Sequence, residues 1–232
     1  MQLKVNRNQE AVADRSGGQF IGASGIYHVV LDFVSLVQSE KGAVSFNLNI
    51  DYKGNKQTIY GNTIVNTDGN TNKIGWDLFN KLLVIAGMPD GAELATETEI
   101  HNVGKDNKPT EFNVVTDLSG LEIQLQVKEV WSVYNGDIKQ YLEIYNFFDS
   151  TGASASELLA YETDKSIKKG EQLAKMQANP ATSQPLYRGN KGTNEPAPTP
   201  EQVEAFKANR KSGNSTPKPA VTAPKANLFS KK

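Results

Sequence analysis

The chain has 232 residues, no cysteine, and 25 Lys and Arg against 26 Asp and Glu, which excludes disulfide frameworks, thiol nucleophiles and cysteine-bound zinc. Its near-neutral total conceals an asymmetry: residues 1–178 hold 16 basic against 23 acidic side chains, whereas 179–232 hold nine against three together with eight of the ten prolines. The polar start, without a secretory pattern, and a longest apolar stretch (82–88) far short of the ~20 residues a bilayer requires lead to the expectation of a cytoplasmic protein with no membrane partner.

Residues 1–19 read as an N-terminal arm. The run 26–37 is then apolar on nearly both faces, as a central or strongly bent strand requires. In 44–52 the pattern alternates, with Val44, Phe46, Leu48, Ile50 and Tyr52 on one side and Ser45, Asn47, Asn49 and Asp51 on the other. That period of two buries one face and wets the other. Lys53-Gly54-Asn55 turns the chain into a third strand over 57–65, making an antiparallel meander.

At 74–86 the period becomes helical, with Trp76, Phe79, Leu82 and Leu83 expected as a buried stripe, Gly87 as the C-terminal cap and Pro89 as the stop. Residues 91–120 read ambiguously; 95–103 and 111–115 could form short strands around a polar tip at 104–108. Leu121, Ile123, Leu125 and Val127 alternate with Glu122, Gln124, Gln126 and Lys128 in a strand that continues to Tyr134. Asn135-Gly136 suits a tight hairpin turn, because both central residues need positive φ. The return strand, 138–148, sets Leu142 and Ile144 against Tyr141, Glu143, Tyr145 and Phe147. Residues 158–161 pack back on the body, and 165–177 form an exposed terminal helix.

Three strands, a helix, an extra hairpin and two more strands give a mainly β domain over 20–150. This is the order of an OB-fold, a five-stranded Greek-key barrel with one helix between strands 3 and 4, and the competing architecture is a β-sandwich or jelly roll with an incidental helix. Residues 151–178 form a helical segment, and 179–232 a disordered basic, Pro-rich tail.

Catalytic chemistry is not legible. His28 and His101 are the only histidines, each without a second metal ligand at useful spacing. The stretch from Asp68 imitates a calcium loop but places Lys73 where glycine is needed and Phe79 where glutamate is needed. Phosphate-cradling and nucleophile-elbow motifs are absent. No enzyme, metal or cofactor is expected.

Single-strand binding needs aromatic faces for stacking and cations along the backbone track. The residues that could supply them are Lys41, Tyr52, Lys53, Lys56 and Tyr60 in the first half, and Lys128, Tyr134, Lys139, Tyr141, Tyr145 and Phe147 across the final hairpin. The competing reading buries the Tyr141/Tyr145/Phe147 row against the terminal segment or a second subunit.

From Gly25-Ile26-Tyr27 through the Gly61 strand to Gly75-Trp76-Asp77-Leu78-Phe79 and Gly87, the chain resembles phage-encoded single-stranded-DNA-binding proteins. The resemblance covers about residues 20–150 and implies an OB-fold and a non-catalytic role coating single strands in phage DNA replication or recombination, in the host cytoplasm. It departs at the end: many such proteins close on an acidic tail with a terminal aromatic that recruits replication or recombination proteins, whereas this one ends Leu228-Phe229-Ser230-Lys231-Lys232.

Within the tail, Thr199-Pro200-Glu201-Gln202 fits a capping box with proline at the first helical position. Val203 and Phe206, with Leu228 and Phe229, are the candidate partner anchors. The alternative function is a virion or assembly adaptor that self-associates through its β body and captures a partner with its tail.

Overall fold

The computed structural model describes residues 19–103, 108–190 and 192–211. Its strands are β1 (Gly25–Gln38), β2 (Val44–Tyr52), β3 (Asn55–Val65), β4 (Thr96–Val103), β5 (Lys108–Val115), β6 (Glu122–Tyr134), β7 (Asp137–Asp149) and β8 (Leu186–Arg188). Its helices are α1 (Lys73–Ile85), α2 (Ala155–Thr163), α3 (Glu171–Ala178) and α4 (Pro200–Lys211). Two compact units result, one of residues 19–130 and 140–186, the other of 131–139 and 187–211.

The long apolar β1 organises the sheet. Residues 25–30 pair antiparallel with β6, those from 30 onward pair with β2, and Ser35 and Leu36 pair with β5. A bulge between Leu31 and Phe33 lets one strand serve two directions, since an extra residue bends and twists the strand that carries it. The path β3-β2-β1-β6-β7 therefore carries the β5–β4 hairpin as a branch from the far half of β1, and β8 pairs with β6. Closure into a barrel would need β3 to pair with β7, yet β7 pairs with β6, and β3 ends the path beyond β2. The closed barrel expected from the sequence is therefore not formed; the sheet is antiparallel and open, with α1 between β3 and β4.

Alternation fills the core as expected: Phe46, Leu48 and Ile50 of β2 meet Ile59, Phe79, Leu82, Ile123, Leu125 and Val127 there. Asn72 caps α1 by accepting the Gly75 N–H at 3.2 Å. At the other end Gly87 takes φ +76°, and the N–H groups of Gly87 and Met88 bond back to Val84 and Leu83. This is the arrangement that satisfies the last helical carbonyls. Trp76 departs from expectation: it is 36% exposed. Gly75, not Trp76, faces β3, where a Cβ would stand 1.9 Å from the Thr63 carbonyl oxygen; the next residue is turned about 100° away along the helix.

Three more placements correct the sequence reading. Gln126 and Lys128, expected on the wet face of β6, are both buried. Phe147, expected opposite Ile144, is fully buried and joins the same core, in a stretch of β7 where 146, 147 and 148 are all buried. The tail expected to lack structure from Asn179 carries a 3-10 turn (Pro180–Ser183) and β8, whereas α4 starts at the expected capping box, in which Gln202 Oε1 accepts the Thr199 N–H at 2.8 Å and Thr199 Oγ1 accepts the Gln202 N–H at 3.3 Å; residues 212–232 lie outside the described residues.

The segment after β7 is held by one carboxylate. Glu157 accepts the N–H groups of Ser154 (2.9 Å), Gly170 (3.2 Å) and Gln172 (2.8 Å), and the Ser154 hydroxyl (3.0 Å). Burial pushes this carboxyl up, but the hydrogen bonds outweigh it and hold it below the usual carboxylate range. One side chain thus completes the capping box of α2 and ties down the start of α3.

Candidate nucleic-acid interface

The outer face of β1–β2–β3 is built in rows. Asp51 pairs with Val30 and Lys56, Asn49 with Phe33 and Thr58, and Asn47 with Ser35 and Tyr60. The alternation that sends Phe46, Leu48 and Ile50 inward leaves these polar and aromatic side chains outward. The β4–β5 hairpin curls toward this face: the His101 ring stacks on Phe33 with centroids 3.8 Å apart, and Phe112 lies 5.1 Å from Phe33. His101 is oriented by Glu99, whose carboxylate lies 2.7 Å from Nε2.

Between hairpin and sheet runs a groove of about 540 Å³, lined among others by Phe20, Asp32, Asn49, Lys56, Tyr60 and Val103. Tyr60 is 73% exposed and Phe20 63% exposed. Phe20 is brought there by Gln57, whose side-chain amide accepts the Ile21 N–H and donates to the Ile21 carbonyl, both at 2.9 Å. The segment before β1 is thereby docked on β3 as if by a ladder pair. Lys56 stands over the groove and contacts both Asp32 oxygens, at 3.0 and 2.8 Å; the β1 bulge leaves Asp32 outward.

Of the predicted contact residues, the groove gathers Lys56 and Tyr60. Lys53 occupies the β2–β3 turn at φ +53°, with its ammonium 5.2 Å from the Tyr52 ring centroid and 3.2 Å from Gln19 Oε1. Tyr52 itself turns inward, edge-on to Tyr27 at 5.5 Å. Burial pushes the Tyr27 phenol up, helped by Tyr52 and Glu129. Lys41 sits in the turn at the opposite end of β2, about 30 Å away at ~3.3 Å per residue.

Tyr145 is 40% exposed and lines a separate cavity of about 370 Å³ with Asn62, Ile74, Asp77, Lys81 and Glu143, where α1 meets β3 and β7. Tyr141 is 44% exposed, and Phe147 in the core presents no stacking face. Lys128, read as a phosphate contact, points its ammonium at the carbonyls of Ala181, Thr182 (3.0 Å) and Gln184 (3.1 Å). Desolvation lowers its pKa, but three carbonyl acceptors favour the charged form.

In the second unit Tyr134 is exposed beside the hairpin turn, and Lys139 pairs with Asp137 at 3.2 Å. Asn135 and Gly136, at φ +51° and +78°, give their N–H groups to Glu195 (3.2 and 2.6 Å). The Thr193 hydroxyl first, then the Gly136 N–H, hold the Glu195 carboxyl below its usual range. Val203 is buried, and Phe206 meets Trp131 edge-on at 6.0 Å with Lys207 over the same indole. The two residues read as partner anchors are thus engaged within the chain, while Leu228 and Phe229 lie outside the described residues.

Phe20, Asn49 and His101 were not singled out by sequence reasoning. Asn49 and His101 gain their setting only from pairings between distant segments, and nothing local distinguishes Phe20. Among the described residues no group of three His, Asp or Glu could hold a metal ion, and no helix is long and apolar enough to cross a membrane. Comparison with known proteins finds no protein-family model that matches this chain and no curated protein similar to it.

Proposed function

We propose that the protein binds single-stranded DNA without catalysis and with little sequence preference, serving phage DNA replication or recombination. The observation that carries this reading is the groove itself: exposed aromatic faces, Tyr60 and Phe20, beside a cation on the outer face of a three-stranded meander. Support comes also from the strand order. The path β3-β2-β1-β6-β7 with α1 after β3 is compatible with an opened OB plan, a partly open barrel whose strand 2–3 face binds oligonucleotides. The β4–β5 hairpin is an insertion in that plan, placed before the fourth strand.

Stacking tolerates any base because every base has a π-face, so such a groove would coat rather than read. The basic charge of residues 212–232, four lysines and no acid, adds attraction for the phosphates. The test is an anisotropy titration of the full chain against a labelled dT oligomer across a salt series, beside a chain ending at Lys211. Binding with an affinity that falls as salt rises is expected. If the last segment touches phosphate, its loss lowers the salt slope by up to about 3, since each neutralised phosphate contributes ~0.7 on a single strand. No change in anisotropy at low salt would overturn the proposal.

A further inference from the structure

Asn49 stands at the middle of β2, lines the groove, and is only 5% exposed. The Thr58 hydroxyl donates to its Oδ1 at 2.7 Å, while its Nδ2 has no hydrogen-bond partner among the described residues. An amide nitrogen carries two donors, and burying them unfilled costs free energy that a fold rarely concedes without reason. Ser35, one row along the same outer face, is fully buried with its hydroxyl likewise unpartnered. Of the two, Asn49 is the one that lines the aromatic groove, where a ligand that brings an acceptor would meet it.

Resting on the single-strand reading above, we propose that Asn49 Nδ2 donates a hydrogen bond to an exocyclic carbonyl oxygen of a nucleobase seated in the groove. Thr58 already occupies Oδ1, so the side chain offers donors rather than the donor–acceptor pair that suits adenine. Thymine, with two carbonyls, fits best; cytosine and guanine offer one each. As it stands Nδ2 is shielded from solvent, so base entry includes a shift of the Asn49 side chain that brings Nδ2 to the groove. The groove is then mildly selective for carbonyl-bearing bases.

The test compares the full chain's affinity for a dT oligomer with that for one carrying difluorotoluene, which keeps thymine's shape and stacking but not its carbonyl acceptors. Wild type is expected to prefer dT about fivefold, the effect of one net hydrogen bond. Asn49→Leu is expected to bind the two oligomers equally and to unfold at a higher temperature, having lost an unpaired buried amide. Should that variant fail to fold, Asn49→Leu with Thr58→Val places two apolar side chains together and carries the same comparison. A wild type that does not discriminate, or a variant that still does, overturns the proposal while leaving single-strand binding intact. A wild type that binds neither oligomer removes both.

Discussion

Lys128→Met tests whether the one cation buried in β6 holds the chain together or holds a ligand. The lysine is 7% exposed, and its ammonium meets the carbonyls of Ala181, Thr182 and Gln184. Methionine keeps the length and apolar stem and removes the three donors. Each hydrogen bond from a charged group is worth about 1.5–3 kcal/mol, but Ala181 and Gln184 are exposed and water can satisfy their carbonyls in the variant. Thr182 is buried, so its carbonyl is the one left without a partner. Relief of the cost of burying the ammonium offsets part of the loss. The net destabilisation comes to about 2–4 kcal/mol, or a fall in Tm of roughly 5–15 °C for a chain of this size. A thermal melt by circular dichroism reads it, with limited proteolysis around 179–186 as a local probe. An unchanged Tm combined with a smaller salt slope for oligo-dT would refute the reasoning and return Lys128 to the phosphate contacts.

Tyr60→Ala should weaken oligo-dT binding about 5- to 150-fold, because stacking is worth ~1–3 kcal/mol per base, while its 73% exposure keeps Tm nearly unchanged; titration and melt on one sample check both. Glu157 has a folded pKa below its ordinary 4.5, so the stability it confers is complete above that value and is lost as pH falls through the folded one. Glu157→Gln should therefore lower Tm at pH 7 and flatten its dependence between pH 5 and pH 2, as measured by melts across that range. Gly75→Ala should destabilise by roughly 2–3 kcal/mol in urea denaturation, outweighing the ~1 kcal/mol gain in helix propensity, because its Cβ would stand 1.9 Å from the Thr63 carbonyl oxygen.

What could be read in advance was local. Alternation at Phe46, Leu48 and Ile50 marked a one-sided strand, and Asn135-Gly136 marked a turn that needs two positive φ angles; both stand in the structure. Gly87 and the apolar spacing of Phe79, Leu82 and Leu83 marked α1. What could not be read depends on pairing between distant segments. Lys128 looks wet in its own strand, and only the arrival of residues 181–184 buries it. The bulge that turns Asp32 outward toward Lys56 has no residue signature of its own. Val203 and Phe206 stood out in the tail as anchors, but that Phe206 meets Trp131 of the same chain, rather than a partner, depends on pairing between distant segments. Tyr60 was legible because an outward aromatic on an alternating strand needs no long-range information. Phe147 was misread because the end of β7 is buried at three consecutive positions, 146–148, which no local alternation reveals.

The groove's electrostatics set how it can bind. Residues 19–178 hold 13 Lys and Arg against 21 Asp and Glu, and the cation placed over the groove, Lys56, is already engaged with Asp32 at 2.8 Å. That pair is mostly solvent-exposed on the lysine side, where ion pairs are worth little and exchange readily; a phosphate can take Lys56 only by leaving Asp32 to repel it. If the protein binds single strands as proposed, backbone attraction would have to come from the ends: Lys53 and Lys41 at opposite turns of the meander, and the basic chain beyond Lys211. Binding would then divide into two separable parts. Base contacts in the groove, through Tyr60, Phe20 and Asn49, would vary little with salt, whereas the peripheral lysines would carry most of the salt dependence. On the proposed reading, that division would let an acidic domain hold a polyanion without a basic cleft.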